Sequence, residues 1–475
     1  MGPPRQGSFQ KAAKDKKKPS QAPRRNNPSK SAPKEKEEES AVDLSATIPL
    51  TLQQLLLNVF RSALFTTPGP TQNTEETNNA SATDSEPRQL DIKSLIQTIK
   101  SHLYNRDFDS AFTDASGDLL RAYALRWSTS RALGYAGLFK ALFKDALLPT
   151  AGGPDDADAA TSHVTHQHVV CLGGGAGAEI VALAAIWRDL MNERAEKTLL
   201  VDGVAATSLN ETPDAPSTSS SSSTPASPTR PALTVTAVDI ADWSTVVDRL
   251  ASTIGSSDVR GSKSHAAPLV DPVRGGFSVR SKRSDVLTLS DEGLRELLHL
   301  PASSSSTPST QRRQLDGAGE GEGEGEGEGE KPATTVLVTL MFTLNELFST
   351  SMAKTTGFLL RMTDLIQPGT VLLVVDSPGS YSTLKLGKGN TKKSDASGEA
   401  DTAVAASAPQ ERNYPMKFLL DHALLSVAKG KWERVFSQDS RWWRREAARL
   451  SWDVGEGAGL EDMRFQVHIY RRLDG

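Results

Sequence analysis

The sequence predicts an α/β fold: a parallel sheet with helices on both faces, preceded by an α-helical N-terminal part. Three patterns predict it. Short apolar runs at His168–Leu172, Thr234–Val238, Val336–Phe342 and Val371–Val375 alternate with helical spacing. Continuous apolar strands between helices belong to a sheet covered on both faces. The first run ends in Gly173-Gly174-Gly175-Ala176-Gly177 and opens a helix through Ile180, Val181, Leu183, Ala184, Ile186 and Trp187. The stretch before residue 150 shows only the helical period, without alternation.

Each element follows in order. Pro49 with Leu52, Leu55, Leu56, Val59, Phe60 and Ala63 marks a first helix with proline near its first turn. Leu90, Ile92, Leu95, Ile96, Ile99 and Leu103 mark a second, and Leu119 to Leu142 continues the helical pattern. After the glycine turn, Thr234–Val238 is a β-branched strand closed by Asp239, and Phe277–Val279 a weaker strand before Ser284-Asp285-Val286-Leu287. The strand at 336–342 leads into a helix near Asn345, and that at 371–375 ends at Asp376. Glu433–Phe436 and Arg464–Tyr470 are expected to pair antiparallel at one sheet edge. The predicted organisation is a basic tail over 1–47, a helical subdomain over 48–150 and the sheet domain over 160–475. Three low-complexity inserts, near 204–231, 301–331 and 383–412, fall between elements, where added length costs little closure entropy; they are expected to be disordered.

The composition narrows the function. Hydrophobic residues make up 37% of the 475 and aromatics 6%, a deficit concentrated in the Ser-, Gly- and Pro-rich inserts. No run reaches the ~20 apolar residues that cross a bilayer, and the charged start is not a basic-then-apolar leader, so neither membrane anchoring nor secretion is expected. One cysteine, Cys171, excludes an intramolecular disulfide and a cysteine-based zinc cluster. The net charge of −4 averages opposite blocks: residues 1–30 hold nine Lys/Arg and one acid. Such a block seeks polyanions, and serves as a nuclear or nucleolar address or an RNA-touching arm; a cytoplasmic location is also compatible with it.

The glycine turn lets backbone approach a cofactor and aims helix N-terminal amides at an anionic group. Gly173-x-Gly175-x-x-Ala178 satisfies a dinucleotide fingerprint, whereas Gly173-x-Gly175-x-Gly177 suits S-adenosylmethionine (SAM). A carboxylate at the end of the second strand is needed for the ribose hydroxyls. Asp202, after Leu199-Leu200-Val201, and Asp239 compete, and Asp239 follows the better strand. Asp285 is a candidate acceptor for the adenine amino group, or alternatively a helix N-cap. After the fourth strand, Asn345 is placed to orient a base edge and Glu346 to accept a proton; Thr-x-Asn-Glu is equally a good helix start. Tyr381 is a candidate stacking residue after the fifth strand. Trp442, Trp443 and Arg444 combine aromatic planes with guanidinium charge, as RNA contacts do, or pack as a strand connection. His163, His166 and His168 are spaced for entry into a strand rather than for zinc, so no metal is expected.

Several segments together resemble the fungal 25S ribosomal RNA uridine-N3 methyltransferases: Arg126-Trp127-Ser128-Thr129-Ser130-Arg131-Ala132-Leu133, Cys171 to Glu179, Val238-Asp239-Ile240-Ala241-Asp242-Trp243, Phe342 to Phe348 and Met463 to Arg471. The resemblance runs from about residue 50 to the end, inserts excluded. It implies a class I, Rossmann-like SAM-dependent methyltransferase acting on large-subunit ribosomal RNA or a pre-ribosomal particle. By that resemblance Gly173, Gly175 and Gly177 line the methionine moiety, Asp239 binds the ribose and Asp285 the adenine. The acid usual in the wider class two places before the first glycine is Cys171 here, and Glu179 is the substitute for holding the methionine ammonium group. A monomer is expected. Three other functions stay open on the sequence: a ribosome-assembly factor that keeps the fold without turnover, a nicotinamide-dependent oxidoreductase using Asp202, and a methyltransferase for small molecules, which would leave the basic tail without a purpose.

Overall fold

The computed structural model describes residues 43–65, 90–144, 166–208, 231–299, 334–379, 381–385, 411–445 and 449–474. The basic tail, His163 and most of the three inserts lie outside them. The described strands are β1 (His166–Leu172), β2 (Ala232–Asp239), β3 (Phe277–Arg283), β4 (Thr334–Met341), β5 (Val371–Asp376), β6 (Tyr381–Lys385), β7 (Glu411–Pro415), β8 (Trp432–Trp443) and β9 (Met463–Arg472). The helices are α1 (Leu50–Leu64), α2 (Ile92–Tyr104), α3 (Gly117–Tyr123), α4 (Thr129–Leu142), α5 (Ala178–Ser208), α6 (Ser244–Ile254), α7 (Asp291–Leu298), α8 (Leu344–Thr350), α9 (Met352–Leu365) and α10 (Met416–Asp421).

Seven strands form one sheet in the order β3-β2-β1-β4-β5-β9-β8. The first five are parallel, and β9 and β8 run antiparallel at the edge, as the sequence predicts for its last two strands. Order reverses between β1 and β4, the place where doubly wound sheets open a crevice at their carboxyl ends. Side chains alternate across the sheet. Val169, Cys171, Val371, Leu373 and Val375 join the core under α1, α4, α5 and α6, while Val170, Leu172, Leu372 and Val374 join the core under α7, α9 and α10.

Helix α5 shows why the N-terminal helices lie where they do. Every residue from Ala178 to Trp187 is buried, and a helix apolar on all sides needs cover on all sides. One side meets the sheet; α4 and α1 pack on the rest. Helix α4 is almost wholly buried in turn. A π-helical turn, Ala124–Ser128, joins α3 to α4. It absorbs one residue: eight residues of α-helix would end about 80° out of phase, but with one absorbed they match seven, nearly two full turns. Tyr123 and Arg131 therefore share a face.

Four sequence expectations change. Leu199-Leu200-Val201 continues α5, so Asp202 stands in a helix and not at a strand end. The weak strand at 277–279 runs to Arg283 as the outer parallel strand, with alternate residues exposed. The strand at 433–436 extends through the Arg441-Trp442-Trp443 segment, past two register shifts. The borders of the third insert are ordered, since β6 pairs with β7 from Tyr381↔Pro415 to Lys385↔Glu411.

His168 has a structural assignment. The Thr335 hydroxyl donates to Leu298 O, so it accepts from His168 Nδ1 at 2.8 Å, and Nε2 then accepts from the Thr236 hydroxyl at 2.9 Å. Burial pushes the ring down to about 3, keeping it neutral. His166 opens β1 beside Thr234.

Arg121 locks the end of α1 to α3. Its Nε and Nη2 donate to Leu64 O at 3.0 and 2.6 Å with the side chain buried. Arg121→Ala removes a charged donor from a helix C-terminal carbonyl and is expected to cost about 2–3 kcal/mol, read from urea unfolding. A change under about 0.5 kcal/mol contradicts the assignment.

Candidate functional site

The carboxyl ends of β1, β2, β4 and β5 converge on one cleft. At the end of β1, Gly173 and Gly177 hold left-handed backbone, φ 77° and 83°, which side-chain-bearing residues rarely adopt. A Cβ at Gly173 would strike Thr343, and one at Gly175 would strike Trp243 and Asp239. The turn is thus clamped between the ends of β2 and β4, and α5 starts at its exit.

Asp239 closes β2 against this turn. Gly175 N donates to Asp239 Oδ2 at 3.2 Å and Ala241 N to Oδ1 at 3.1 Å. Burial pushes its carboxyl above the ordinary value, opposed by the hydrogen bonds from Ala241, Gly175 and Trp243. A cavity of about 190 Å³ lies beside it, lined by Gly175, Trp243, Val247 and Arg283 among others. Asp285 sits in the turn after β3, where its Oδ1 accepts from Leu287 N at 2.9 Å. It is not the cap of α7; Ser290 takes that role, accepting from Gly293 N at 3.1 Å.

At the end of β4, Phe342 holds φ 59°, a conformation costing a bulky residue about 1–3 kcal/mol. The following helix, α8, is capped from outside. Asp376, buried at the end of β5, accepts from Asn345 N at 3.0 Å and from Ser377 N at 2.7 Å. The Thr343 hydroxyl caps nothing on α8 and donates instead to Met341 O at 3.3 Å. The helix-start explanation of Thr-x-Asn-Glu is thereby replaced, because the capping oxygen comes from Asp376. The Asn345 side chain is left for other work, and its Oδ1 is buried with no hydrogen-bond partner. Glu346 stands on the first turn of α8. The residue as a whole is exposed, but its carboxyl is partly desolvated where it meets the protein; this and the nearby Asp376 raise it above the ordinary value, while Arg106 opposes.

The first turn of α5 brings Glu179, 4% exposed, under the cleft. Burial raises its carboxyl to about 7, opposed by Arg131 and reinforced by Asp239. The sequence reading missed three neighbours that α3 and α4 supply: Tyr123, Arg131 and Tyr135. Arg131 Nη1 donates to Tyr123 Oη at 3.1 Å, and its guanidinium lies 4.7 Å from the centre of the Phe342 ring. Tyr123 also packs against Trp127 and Trp243, with centroids 4.8 and 5.7 Å away. The available signal was Arg131 itself, a charged residue in a mostly apolar helix. The rest of that motif holds the chain entering β9: Arg126 donates to Glu461 and Gly459 O, and Glu461 N donates to Ser130 Oγ at 3.0 Å.

Trp442, Trp443 and Arg444 lie at the same end of the sheet, on its antiparallel edge. Gln466 pairs with Asp376 across β5 and β9, and Trp442 pairs with Arg464 two residues away. The Trp442 ring is 51% exposed, with the Arg444 and Arg464 guanidinium groups 4.2 and 5.7 Å from its centre. Trp443 instead packs toward Gly134 of α4. The backbone of Tyr381 opens β6, and its side chain lies outside the described residues.

A family model described as SAM-dependent methyltransferase, family 34, matches residues 75–471. The chain belongs to this SAM-dependent methyltransferase family. This methyltransferase is 30% identical over 395 residues, 82% of its length and 80% of the relative's, to a Saccharomyces cerevisiae protein named 25S rRNA (uridine(2843)-N(3))-methyltransferase. Solved structures it resembles include a SAM-dependent methyltransferase from Methanosarcina mazei (8% identity, 68% of this chain, 99% of that chain, TM-score 0.27). Another is an O-methyltransferase family protein from Burkholderia thailandensis (11% identity, 81% and 71%, TM-score 0.27).

The residues at the cleft fit SAM. A ribose diol needs a carboxylate acceptor, which Asp239 offers beside the glycine turn, and an α-ammonium group needs a second, which Glu179 offers from the start of α5. The oxidoreductase alternative required Asp202 at a strand end, where the fold does not put it.

The raised carboxyl of Glu179 has a sign that can be tested. Its native value of about 7 lies above the ordinary 4.5, so the unfolded chain loses this proton first and stability falls as pH rises from about 4.5 through 7. The difference amounts to on the order of 3 kcal/mol above pH 7. Glu179→Gln is expected to be more stable than the parent protein at pH 8, with the gain vanishing near pH 4. Urea midpoints at the two pH values read it, and an equal effect at both removes the assignment.

Proposed function

We propose that this protein transfers the methyl group of SAM to N3 of a uridine in large-subunit ribosomal RNA. The single observation that carries the reading is the placement of Asn345 and Glu346. An asparagine whose side chain is not used for capping and a carboxylate stand side by side on the first turn of α8, two and three residues past Thr343, which abuts Gly173 of the glycine turn. The yeast relative's name supports the choice of base and RNA.

Uracil presents one donor on its Watson–Crick edge, the N3–H, between two carbonyl oxygens. The Asn345 side-chain amide, released from capping by Asp376, is placed to hydrogen-bond a carbonyl oxygen beside N3 and so fix the base edge. N3 is a poor nucleophile until its proton leaves, and Glu346 is the carboxylate available to take that proton. Burial of its carboxyl and neighbouring Asp376 raise its basicity above that of an ordinary glutamate. SAM, when bound, supplies the electrophilic methyl group. Asp239 holds the ribose, Asp285 and the cavity beside β2 accommodate the adenine side, and Glu179 faces the ammonium group.

The base must leave its stack to expose N3. Trp442 offers a stacking surface at the cleft edge, and Arg444 and Arg464 add positive charge to it. Arg444 is paired with Asp462 at 2.8 Å. Of the other substrate contacts expected from the sequence, Trp443 packs on α4 instead, and the Tyr381 side chain lies outside the described residues. The basic segment over residues 1–30 supports a polyanionic partner and a nuclear or nucleolar location. The protein is proposed to act as a monomer on RNA or a pre-ribosomal particle.

Two variants test the division of labour. Asp239→Ala is expected to weaken SAM binding at least about tenfold in calorimetric titration, through loss of charged hydrogen bonds. Glu346→Gln is expected to bind SAM within about twofold of the parent, yet to lose about 10²–10⁴ in the rate of methyl transfer to uridine. Undiminished transfer by Glu346→Gln ends its role as the base.

A further inference from the structure

Arg131 is the feature of the cleft that the proposed function leaves unused. It stands on α4, outside the sheet, and the π-helical turn sets it on the same face as Tyr123. Its guanidinium is held from two sides, by Tyr123 Oη at 3.1 Å and over the ring of Phe342 at 4.7 Å. Phe342 is the residue that keeps a left-handed backbone at the end of β4. The ring under the guanidinium and the strained backbone are thus one local arrangement.

No carboxylate among the described residues forms an ion pair with Arg131; its hydrogen-bond partner is the Tyr123 hydroxyl. The guanidinium is half-buried, and an arginine stays charged there. Five donors in a planar fork are matched by a bidentate anion, and a phenol oxygen uses only one of them. Arg131 lies over Phe342 at the end of β4, next to the Thr343 that abuts Gly173, and Glu179 stands on the first turn of α5, two residues past Gly177. A fixed cation and a buried carboxyl therefore flank the glycine turn, the arrangement that complements a zwitterionic α-amino acid.

We propose that Arg131 binds the α-carboxylate of the methionine moiety of SAM, so that the helical N-terminal part supplies a cofactor ligand. This rests on the reading of the cleft as a SAM site. Glu179 takes the ammonium group of the same moiety, and the two charges select for the intact amino acid end. A cofactor analogue that lacks the carboxylate loses the Arg131 contact and keeps the rest.

The test compares SAM with decarboxylated SAM by calorimetric titration of the full chain, in the parent protein and in Arg131→Met and Arg131→Lys. The parent is expected to prefer SAM by about 10- to 100-fold, the value of a charge-assisted contact in a partly buried site. Arg131→Met is expected to weaken SAM by a similar factor while changing decarboxylated SAM less than about threefold, so that the preference disappears. Arg131→Lys keeps the charge without the fork and is expected to fall between. Equal weakening of both ligands marks a structural residue and overturns the proposal, as does an unchanged preference. If Arg131→Met does not fold, a preference in Arg131→Lys equal to that of the parent overturns it, and a reduced one upholds it. Failure of the parent protein to bind SAM is a different result, and removes the SAM reading itself.

Discussion

The burial of α5 on both sides governs the architecture. A parallel sheet needs a helical layer on each face, and a surface helix in such a layer ordinarily keeps a polar stripe toward water. α5 has none in its first three turns, where Ile180, Val181, Leu183 and Ile186 are all buried. Leaving such side chains wet costs about 1.5–3 kcal/mol each. The N-terminal helices are the cover that removes this cost, and α3 and α4 carry Tyr123, Arg131 and Tyr135 into place beside the cleft as a geometric result of the covering. The apolar pattern of one helix thereby fixes where a second set of polar residues meets the cleft.

Polar groups at the strand ends follow a common logic. Each carboxylate has backbone amides as partners: Asp239 takes those of Gly175 and Ala241, and Asp376 those of Asn345 and Ser377. These bonds set the register between neighbouring loops. Because Asp376 satisfies the exposed start of α8, the polar side chains of α8 itself are released from capping. Glu179 and Glu346 stand instead on the first turns of α5 and α8, and both are raised above their ordinary values by desolvation, as Asp239 is. Structural and chemical roles are in this way divided among acids that look alike in the sequence.

Much of this was legible beforehand, for identifiable reasons. β1, β2, β4 and β5 are buried on both faces and therefore read as unbroken apolar runs. Asp239 was separable from Asp202 because Leu199-Leu200-Val201 extends an existing helix, whereas Thr234 to Val238 stands alone and is β-branched. β3 was half seen, since it is an outer strand with exposed serines and basic residues. β8 was seen only at its start, because two register shifts break the alternation that would reveal it. The π-helical turn leaves no mark in residue spacing, so the pairing of Tyr123 with Arg131 was invisible. The capping of α8 by Asp376 joins residues 31 apart and depends on two strands lying side by side.

The small ladder of β6 and β7 has a consequence for how this chain can vary. Its last pair, Lys385↔Glu411, fastens both borders of the stretch between them at a single point. The chain leaves the ladder at Lys385 and re-enters it at Glu411, one strand spacing away. Closure entropy grows only with the logarithm of loop size, so the interval between these two positions takes added residues at little cost. It is the natural splice point for a tag or a fluorescent reporter that has to leave the chemistry untouched.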